Sequence, residues 1–215
     1  MTHSSVTLTR RTRLTQALKN AGIENPAAVT RLAVSGTMTD DDFAYIRENM
    51  HETLHRLDLR EASVRKNKIP DGAFNNCRAL SAVIIPDTVT EIGDCIFNMG
   101  NRMRSFTIPT SVVKIAGSAF TCCEVATLTI PETVKEIEDC AFNHCAITSS
   151  LVFPASVTDI SHRKFYDCYL TDIVVHPDNP VYTSENGKIK RKRQTKKANE
   201  KGTKKFRRTI SSGKF

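Results

Sequence analysis

The chain has 215 residues, of which 40% are hydrophobic and 25% are charged, with a formal net charge of +8 at pH 7. This composition is ordinary for a globular protein with a sizeable core and allows one domain, or one domain with a tail. No apolar run is long enough to cross a bilayer, and residues 1–16 lack the apolar stretch of a secretory signal. We therefore expect a cytosolic protein or a mature form.

The first predicted element is a helix within the stretch "TRLTQALKNAGIEN". Leu14, Leu18 and Ile23 recur at nearly helical intervals, and Asn20 and Gly22 are suited to end a helix. We predict that residues 1–26 form a helical N-terminal cap. Such a cap would cover the apolar edge that the repeats following it would otherwise expose to water.

A phrase of about 23 residues then recurs through the chain. Its phenylalanines lie at intervals of 23, 23, 22 and 23 residues, and an isoleucine precedes each of them by five positions. Short apolar alternations, most of them ended by a proline, predict a strand in each copy. Two weaker copies come earlier, at Val29/Leu32/Val34 and at Leu54/Leu57/Leu59. The phenylalanines are Phe74, Phe97, Phe120, Phe142 and Phe165.

A period of 20 to 29 residues with one short strand per unit is typical of a leucine-rich-repeat solenoid. One coil cannot enclose its own Phe, Ile and Val side chains, but stacked coils bury them in continuous columns. We therefore predict an α/β repeat protein, with a solenoid over residues 27–187 and one short parallel strand per coil of about 23 residues. The five phenylalanines should form one buried column.

The repeat resembles the BspA-like leucine-rich repeat found in bacterial cell-surface proteins. The copy "LTIPETVKEIEDCAFNHC", residues 128–145, shows the pattern most fully, and "IVVHPDNPVYTSENG" is similar to a phrase found late in such arrays. The resemblance covers roughly residues 10–187. It implies a surface or secreted protein involved in adhesion, host-matrix binding or coaggregation, and it brings no active site with it.

The strand residues that point away from the core are the candidate binding surface. A regular backbone that displays variable outward side chains is how solenoids recognise protein ligands, although small Thr, Ser and Val residues also simply suit strands. The predicted ligand-facing residues are Arg56, Asp58, Ile84, Ser105, Thr107, Thr127, Thr129, Ser150, Val152, Asp172 and Val174.

The seven cysteines invite chemical interpretations. Cys77, Cys123, Cys145 and Cys168 share one repeat position, which favours packing as small hydrophobic side chains. Disulfides between adjacent coils are geometrically allowed but are not needed.

Two catalytic or metal-binding alternatives compete with packing. Cys122, His144 and Asp167 stack in the order of a nucleophile relay, and Cys140, His144 and Cys145 are a candidate zinc set. No phosphate loop, carboxylate pair or dinucleotide fingerprint occurs. We therefore predict a non-enzymatic protein with no catalytic residue, cofactor or metal.

The positive charge is concentrated in residues 188–215, which contain 13 Lys and Arg and one Glu, a net charge of +12. The rest of the chain has 18 basic and 22 acidic residues, a net charge of −4. We predict that this segment is disordered. It is a polyanion-binding tail, a tail without a specific role, or the truncated or altered end of a longer array. The predicted polyanion-binding residues are Lys190, Arg191, Lys192, Arg193, Lys196, Lys197, Lys204, Lys205, Arg207 and Arg208.

Overall fold

Short parallel strands stack along most of the chain in the computed structural model, which describes residues 2–98, 103, 105–125, 128–147, 150–160, 168–170 and 172–193. The helices are α1 (Leu14–Asn20) and α2 (Asp40–Asn49), with 3-10 turns at Pro26–Ala28 and Arg65–Asn67. The strands are β1 (Thr2–Thr7), β2 (Val29–Met38), β3 (Arg56–Asp58), β4 (Ala62–Val64), β5 (Lys68–Ile69), β6 (Ala82–Ile84), β7 (Glu91–Ile92), β8 (Ser105–Phe106), β9 (Lys114–Ile115), β10 (Glu124–Val125), β11 (Leu128–Thr129), β12 (Glu136–Ile137), β13 (Ala146–Ile147), β14 (Leu151–Phe153), β15 (Tyr169–Leu170), β16 (Ile173–Val175), β17 (Tyr182–Glu185) and β18 (Lys188–Arg191).

The apolar alternations found in the sequence form the first face of the solenoid. Strands β1, β2, β3, β6 and β8 pair in that order, and β11, β14 and β16 form a second run; every pairing is parallel. Leu57 lies opposite Val83, which lies opposite Phe106, so apolar residues of successive coils share one inward row. The repeat therefore sets the strand register.

Two further parallel sheets form the other faces. Strands β5, β7, β9 and β12 make one, and β10, β13 and β15 make the other. The coil that starts at β11 thus carries three strands, and the prediction of one strand per coil is wrong. The extra strands are only two residues long, such as Glu91–Ile92. A single polar–apolar pair is too short to show the alternation by which strands are recognised.

The sheet made of β5, β7, β9 and β12 carries an alternating charge ladder on its outer side. Lys68 lies opposite Glu91, Glu91 opposite Lys114, and Lys114 opposite Glu136. The Lys68 Nζ is 3.0 Å from a Glu91 carboxylate oxygen, and the Lys114 Nζ is 3.3 Å from one of Glu136. Opposite charges directly across parallel strands favour this stacking over a shifted one.

The repeated phenylalanines form a continuous buried column. Phe74, Phe97, Phe120 and Phe142 are all fully buried, and their ring centroids follow one another at 5.5, 5.9 and 5.5 Å. Phe43 from α2 extends the column at its N-terminal end with a ring centroid 5.8 Å from that of Phe74. Phe165, the fifth predicted member, lies outside the described residues.

The N-terminal end differs from the predicted helical cap. Helix α1 is present and buries Leu14 and Leu18, but the edge of the first sheet is occupied by strand β1, which pairs with β2. The sequence conceals β1 because its stretch "THSSVT" is mostly polar. As an edge strand it needs few apolar residues, and Val6 supplies one that is buried.

A buried carboxylate joins the two helices. Asp42 is 2% exposed; its Oδ1 accepts the Leu14 N–H at 2.9 Å, and its Oδ2 accepts the Thr39 N–H at 2.9 Å. The Thr39 hydroxyl also donates to Oδ2, which lies 3.8 Å from Arg13 Nη1. Asp42 therefore caps its own helix and fixes the start of α1 at the same time.

We expect Asp42→Ala to lower the free energy of unfolding by roughly 2 kcal/mol, because it leaves two backbone N–H groups without their acceptor. Asp41→Ala is the matched control, since Asp41 is exposed in the same helical turn. Urea unfolding of both variants measures the difference. Equal losses would show that the carboxylate acts only on the helix dipole.

The C-terminal end of the described chain is an antiparallel hairpin of β17 and β18, in which Ser184 lies opposite Ile189. The predicted boundary at residue 187 is therefore wrong, because Lys188–Arg191 form a strand. Ile189 packs against the core and Lys192 Nζ donates to the carbonyls of Pro177 and Asn179, at 3.0 and 2.7 Å. Ile189 is thus an apolar residue with a structural role within a run of basic residues. Residues 194–215 lie outside the described part.

Asn179 connects this end to the preceding coil. It is fully buried; its side-chain amide donates to the carbonyls of Pro154 and Val157 at 3.0 and 2.8 Å. Its Oδ1 accepts the N–H groups of Val181 and Tyr182 at 3.0 and 2.9 Å. All four hydrogen-bonding capacities of this side chain are thus used, two toward each neighbouring segment.

Candidate functional site

The candidate site is the strand face, defined as the outward side of β3, β6, β8, β11, β14 and β16 with the residues that flank them. Alternation along each strand turns its buried neighbours, such as Leu57 and Leu151, to the core. Of the predicted ligand-facing residues, the exposed ones are Arg56, Thr107, Thr129, Asp172 and Val174. The half-buried ones are Asp58, Ile84, Ser150 and Val152. Thr127 and the side chain of Ser105 lie outside the described residues.

The register brings several of these residues together. Asp58 lies opposite Ile84, and Val152 lies between Thr129 and Val174 on the two neighbouring strands. The C-terminal part of the strand face is therefore a row of small and β-branched side chains. It offers aliphatic contact and hydroxyl groups but little charge.

Charge enters at both ends of the strand face. Asp172 and Glu185 line an open cleft of about 410 Å³ at the C-terminal end. At the N-terminal end Asp58 is held by Arg60, whose Nη2 donates to Oδ2 at 2.6 Å and whose Nε donates to Oδ1 at 3.2 Å. These hydrogen bonds hold the pKa of Asp58 below its ordinary value.

Sequence reasoning missed two basic residues at the N-terminal end. Arg31 lies opposite Arg56 in the parallel pairing of β2 with β3, and Arg60 binds Asp58 two residues along the chain. Arg31 belongs to the weaker early copy of the repeat, where it directly precedes Leu32. Aligning Leu32 with Leu57 would have placed Arg31 beside Arg56.

Three of the four cysteines at the shared repeat position are buried, in keeping with packing, and Cys168 is half-buried. Cys77, Cys123 and Cys145 are 2%, 0% and 1% exposed, and the Cys145 thiol donates to the carbonyl of Phe120 in the preceding coil. Burial raises the pKa of the Cys77 thiol to about 12 and raises that of Cys123 well above its ordinary value. A thiol held in its neutral form is a poor nucleophile.

We expect iodoacetamide to modify Cys122, which is exposed, well before Cys123 and Cys145. The reason is access, together with the raised pKa of the two buried thiols. Mass spectrometry of tryptic peptides after a short exposure at pH 8 measures the order. Early modification of Cys145 would contradict the packing assignment, and modification in urea gives the unprotected rate for each thiol.

The backbone accounts for the mixed residues in the column proposed as a nucleophile relay. Asn76, Cys122 and His144, each two positions after a phenylalanine, all have positive φ, at 58°, 59° and 53°. A tight turn with a left-handed residue favours small or polar side chains there. Cys122 and His144 are exposed, and Asp167 lies outside the described residues.

The zinc alternative finds no geometric support. Cys145 is turned into the core, whereas His144 is exposed on the neighbouring left-handed turn. Within the described ranges, no three His, Cys, Asp or Glu side chains are grouped so that they could hold a metal ion.

The predicted polyanion-binding residues divide into three sets. Lys190 is ion-paired with Glu185 and Lys192 holds two carbonyls, so these two contribute to the hairpin. Arg191 and Arg193 are exposed. Lys196, Lys197, Lys204, Lys205, Arg207 and Arg208 lie outside the described residues.

Comparison with known proteins decides the family. Residues 67–184, more than half of the chain, match six copies of the BspA type leucine rich repeat region. The chain belongs to the BspA-type leucine-rich repeat family. No curated protein matches it. In the part that the structure covers, every helix is too short or too polar to span a bilayer.

Two bacterial crystal structures have a fold similar to that of this chain. A leucine-rich repeat protein from Eubacterium ventriosum aligns over 74% of this chain with a TM-score of 0.57 and 22% identity. The pneumococcal vaccine antigen PcpA aligns over 74% with a TM-score of 0.51 and 18% identity. The aligned part amounts to 42% and 35% of those two chains, so this chain spans less than half of either. At these identities the likeness concerns the fold.

Proposed function

We propose that this BspA-type protein is a non-enzymatic interaction module that binds a protein ligand through its strand face. The observation that carries the proposal is the row of outward Thr and Val side chains, Thr129, Val152 and Val174, held in register on consecutive strands. A rigid backbone presents these side chains without an ordering cost on binding.

The repeat family favours adhesion at a cell surface or in the secreted space, with a host-matrix protein as ligand. Surface plasmon resonance against immobilised extracellular-matrix proteins tests this directly. We expect the double variant Thr107→Arg/Thr129→Arg to abolish any binding that the unchanged protein shows, because one long cation replaces Thr129 in the row and the other replaces the exposed Thr107 beside β8.

The matched control is Val113→Arg, which places the same side chain at an exposed position on a different face. Thermal melts of both variants check the fold. Binding that survives the double variant, or that is lost equally in Val113→Arg, would reject the strand face as the interface. A protein that binds none of the immobilised matrix proteins would reject the adhesion role.

A second candidate is polyanion binding by the basic C-terminal segment, which the net charge of +12 over residues 188–215 favours. Nucleic acid or an anionic surface attracts such a segment without sequence preference, and the affinity falls steeply with salt. Because β18 belongs to the folded part, the informative deletion removes residues 194–215 and keeps the hairpin.

We expect this deletion to remove retention on heparin, because it removes eight Lys and Arg residues. The measurement is the salt concentration at which each protein elutes. The matched variant Arg191→Gln/Arg193→Gln keeps the segment and alters only the exposed arginines of the hairpin end. Retention that persists after the deletion would show that residues 194–215 are not the cause, and its loss in Arg191→Gln/Arg193→Gln would place polyanion binding on the hairpin.

A further inference from the structure

Strand β1 has an open outer edge, because it is the last strand of its sheet and pairs only with β2. The register pairs Thr7 with Ser35, and the Leu8 N–H donates to the Ser35 carbonyl at 2.8 Å. Backbone groups alternate sides along a strand, so the N–H and C=O groups of His3, Ser5 and Thr7 point away from β2. Among the described residues, the backbone groups of Ser5 and Thr7 on this side have no hydrogen-bond partner.

This edge lacks the features by which proteins usually protect a free strand edge. The strand Thr2–Thr7 is six residues long and contains no Lys, Arg, Asp, Glu or Pro. Charged side chains, prolines and very short edge strands are the usual protection against pairing with another chain. The side chains of Ser5 and Thr7 are exposed and small, whereas Val6 between them is buried. Another strand can therefore approach the edge closely.

The open edge ends at a local turn. Thr9 N–H donates to the Thr12 carbonyl at 3.4 Å, and Thr12 N–H donates to the Thr9 carbonyl at 3.3 Å. The backbone of Thr9 is thus already engaged. The open positions are His3, Ser5 and Thr7, which are spaced symmetrically about Ser5.

We propose that two copies of this chain pair through their β1 edges as antiparallel strands, about a two-fold axis at Ser5. In this register Ser5 lies opposite Ser5 of the partner subunit, and His3 lies opposite Thr7 of the partner subunit. In an antiparallel ladder, residues opposite each other at such positions exchange both N–H···O bonds. Every open backbone group on the two edges then has a partner, and no charged side chain is set against a like charge.

The charges that follow β1 favour this arrangement over a head-to-tail one. Arg10 and Arg11 come directly after the turn begins and are exposed. With Ser5 on the axis, the arginines of the two copies lie about 30 Å apart, well beyond the screening length of about 10 Å at 0.1 M salt. A head-to-tail contact with the far end of the solenoid would instead bring them toward Arg191 and Arg193, which are exposed in the C-terminal hairpin.

The pairing would join the strand faces of both copies into one surface. Residues directly opposite each other in antiparallel strands turn their side chains to the same side of the sheet, so both strand faces point in one direction. Because only one strand edge of each copy meets the other, the contact buries less than a standard interface of about 1,600 Å². We therefore expect a weak dimer, which presents two strand faces to a ligand that carries repeated sites.

Sedimentation velocity of the full chain, with reductant and over a wide range of concentrations, tests the dimer. We expect a monomer–dimer equilibrium that Ser5→Pro weakens about tenfold or more, since the substitution removes an outward N–H from each copy. It removes no hydrogen bond to β2, because the Ser5 N–H points outward, where an edge strand tolerates proline. Ser5→Ala is the matched control; it keeps the N–H and should leave the dimer unchanged. Thermal melts check the fold.

Cysteine cross-linking tests the register independently. Oxidation by copper–phenanthroline should cross-link Ser5→Cys, because the Cα atoms of such an antiparallel pair are about 5.5 Å apart. Thr7→Cys should cross-link no more than the unchanged protein, since the two Thr7 residues lie about 14 Å apart in this register. Mass spectrometry identifies the linked peptides and separates them from links through the native cysteines.

Three results would each overturn the two-fold pairing: a chain that stays monomeric at its highest soluble concentration, a dimer that Ser5→Pro leaves intact, or a Thr7→Cys cross-link as strong as that of Ser5→Cys. Species that grow beyond the dimer with concentration would also overturn it, in favour of head-to-tail stacking. Should Ser5→Pro fail to fold, the comparison of Ser5→Cys with Thr7→Cys decides.

Discussion

Phe120→Ala should lower the free energy of unfolding by roughly 3–5 kcal/mol. The Phe120 ring is fully buried, with centroids 5.9 Å from that of Phe97 and 5.5 Å from that of Phe142. Phe106 contacts it from the first face, at 5.5 Å. The substitution opens a cavity between two coils that cannot close, because their backbones are fixed by hydrogen bonds on either side of the ring.

Urea unfolding followed by far-ultraviolet circular dichroism measures this loss. The control is Val113→Ala, which truncates a side chain that is 42% exposed and should change the stability by no more than about 0.5 kcal/mol. A Phe120→Ala protein with an unchanged urea midpoint would contradict the buried column.

Asn179→Ala should cost about 3 kcal/mol, the second largest effect that we expect from a single substitution. It leaves the buried carbonyls of Pro154 and Val157 without donors and frees the turn that leads into β17. Trypsin should then cut within the hairpin faster than it does in the unchanged protein. The measurement is a tryptic time course together with urea unfolding.

Two companion variants separate the hydrogen bonds from the mere change of side chain. Asn179→Asp keeps the acceptor toward Val181 and Tyr182 but points an oxygen at two carbonyl oxygens, so it should be no more stable than Asn179→Ala at pH 7. Asp178→Ala truncates the exposed neighbour and should have little effect. A stable Asn179→Ala protein would show that the hairpin is held by apolar packing alone.

The sequence predicts the repeated part of the fold well, because the same apolar pattern recurs in each copy of the repeat. The spacing of Phe74, Phe97, Phe120 and Phe142 marks residues that occupy equivalent places in successive coils, and all four are buried together. Strand β1, the short strands of the other faces and Lys188–Arg191 were missed for one reason. Each owes its structure to pairing with a neighbour rather than to an apolar pattern of its own.

The candidate site shows the same division. Outward positions such as Arg56 and Thr129 follow from alternation along the strand, and the structure leaves both exposed. Contacts between neighbouring coils can be predicted only after imperfect copies of the repeat have been aligned with each other. The pairing of Arg31 with Arg56 depends on aligning a weak copy with a better one, and Asn179, which bonds two carbonyls of the preceding coil, lies outside the repeated phrase.

The alternating charge ladder of Lys68, Glu91, Lys114 and Glu136 restricts how such an array can change in length. Removing one coil, residues 91–113, would set Lys68 opposite Lys114, two cations in place of an ion pair. Removing two coils, residues 91–135, would set Lys68 opposite Glu136 and preserve the alternation. Each exposed pair contributes no more than about 1 kcal/mol. Even so, this face tolerates the gain or loss of coils in even numbers better than in odd ones.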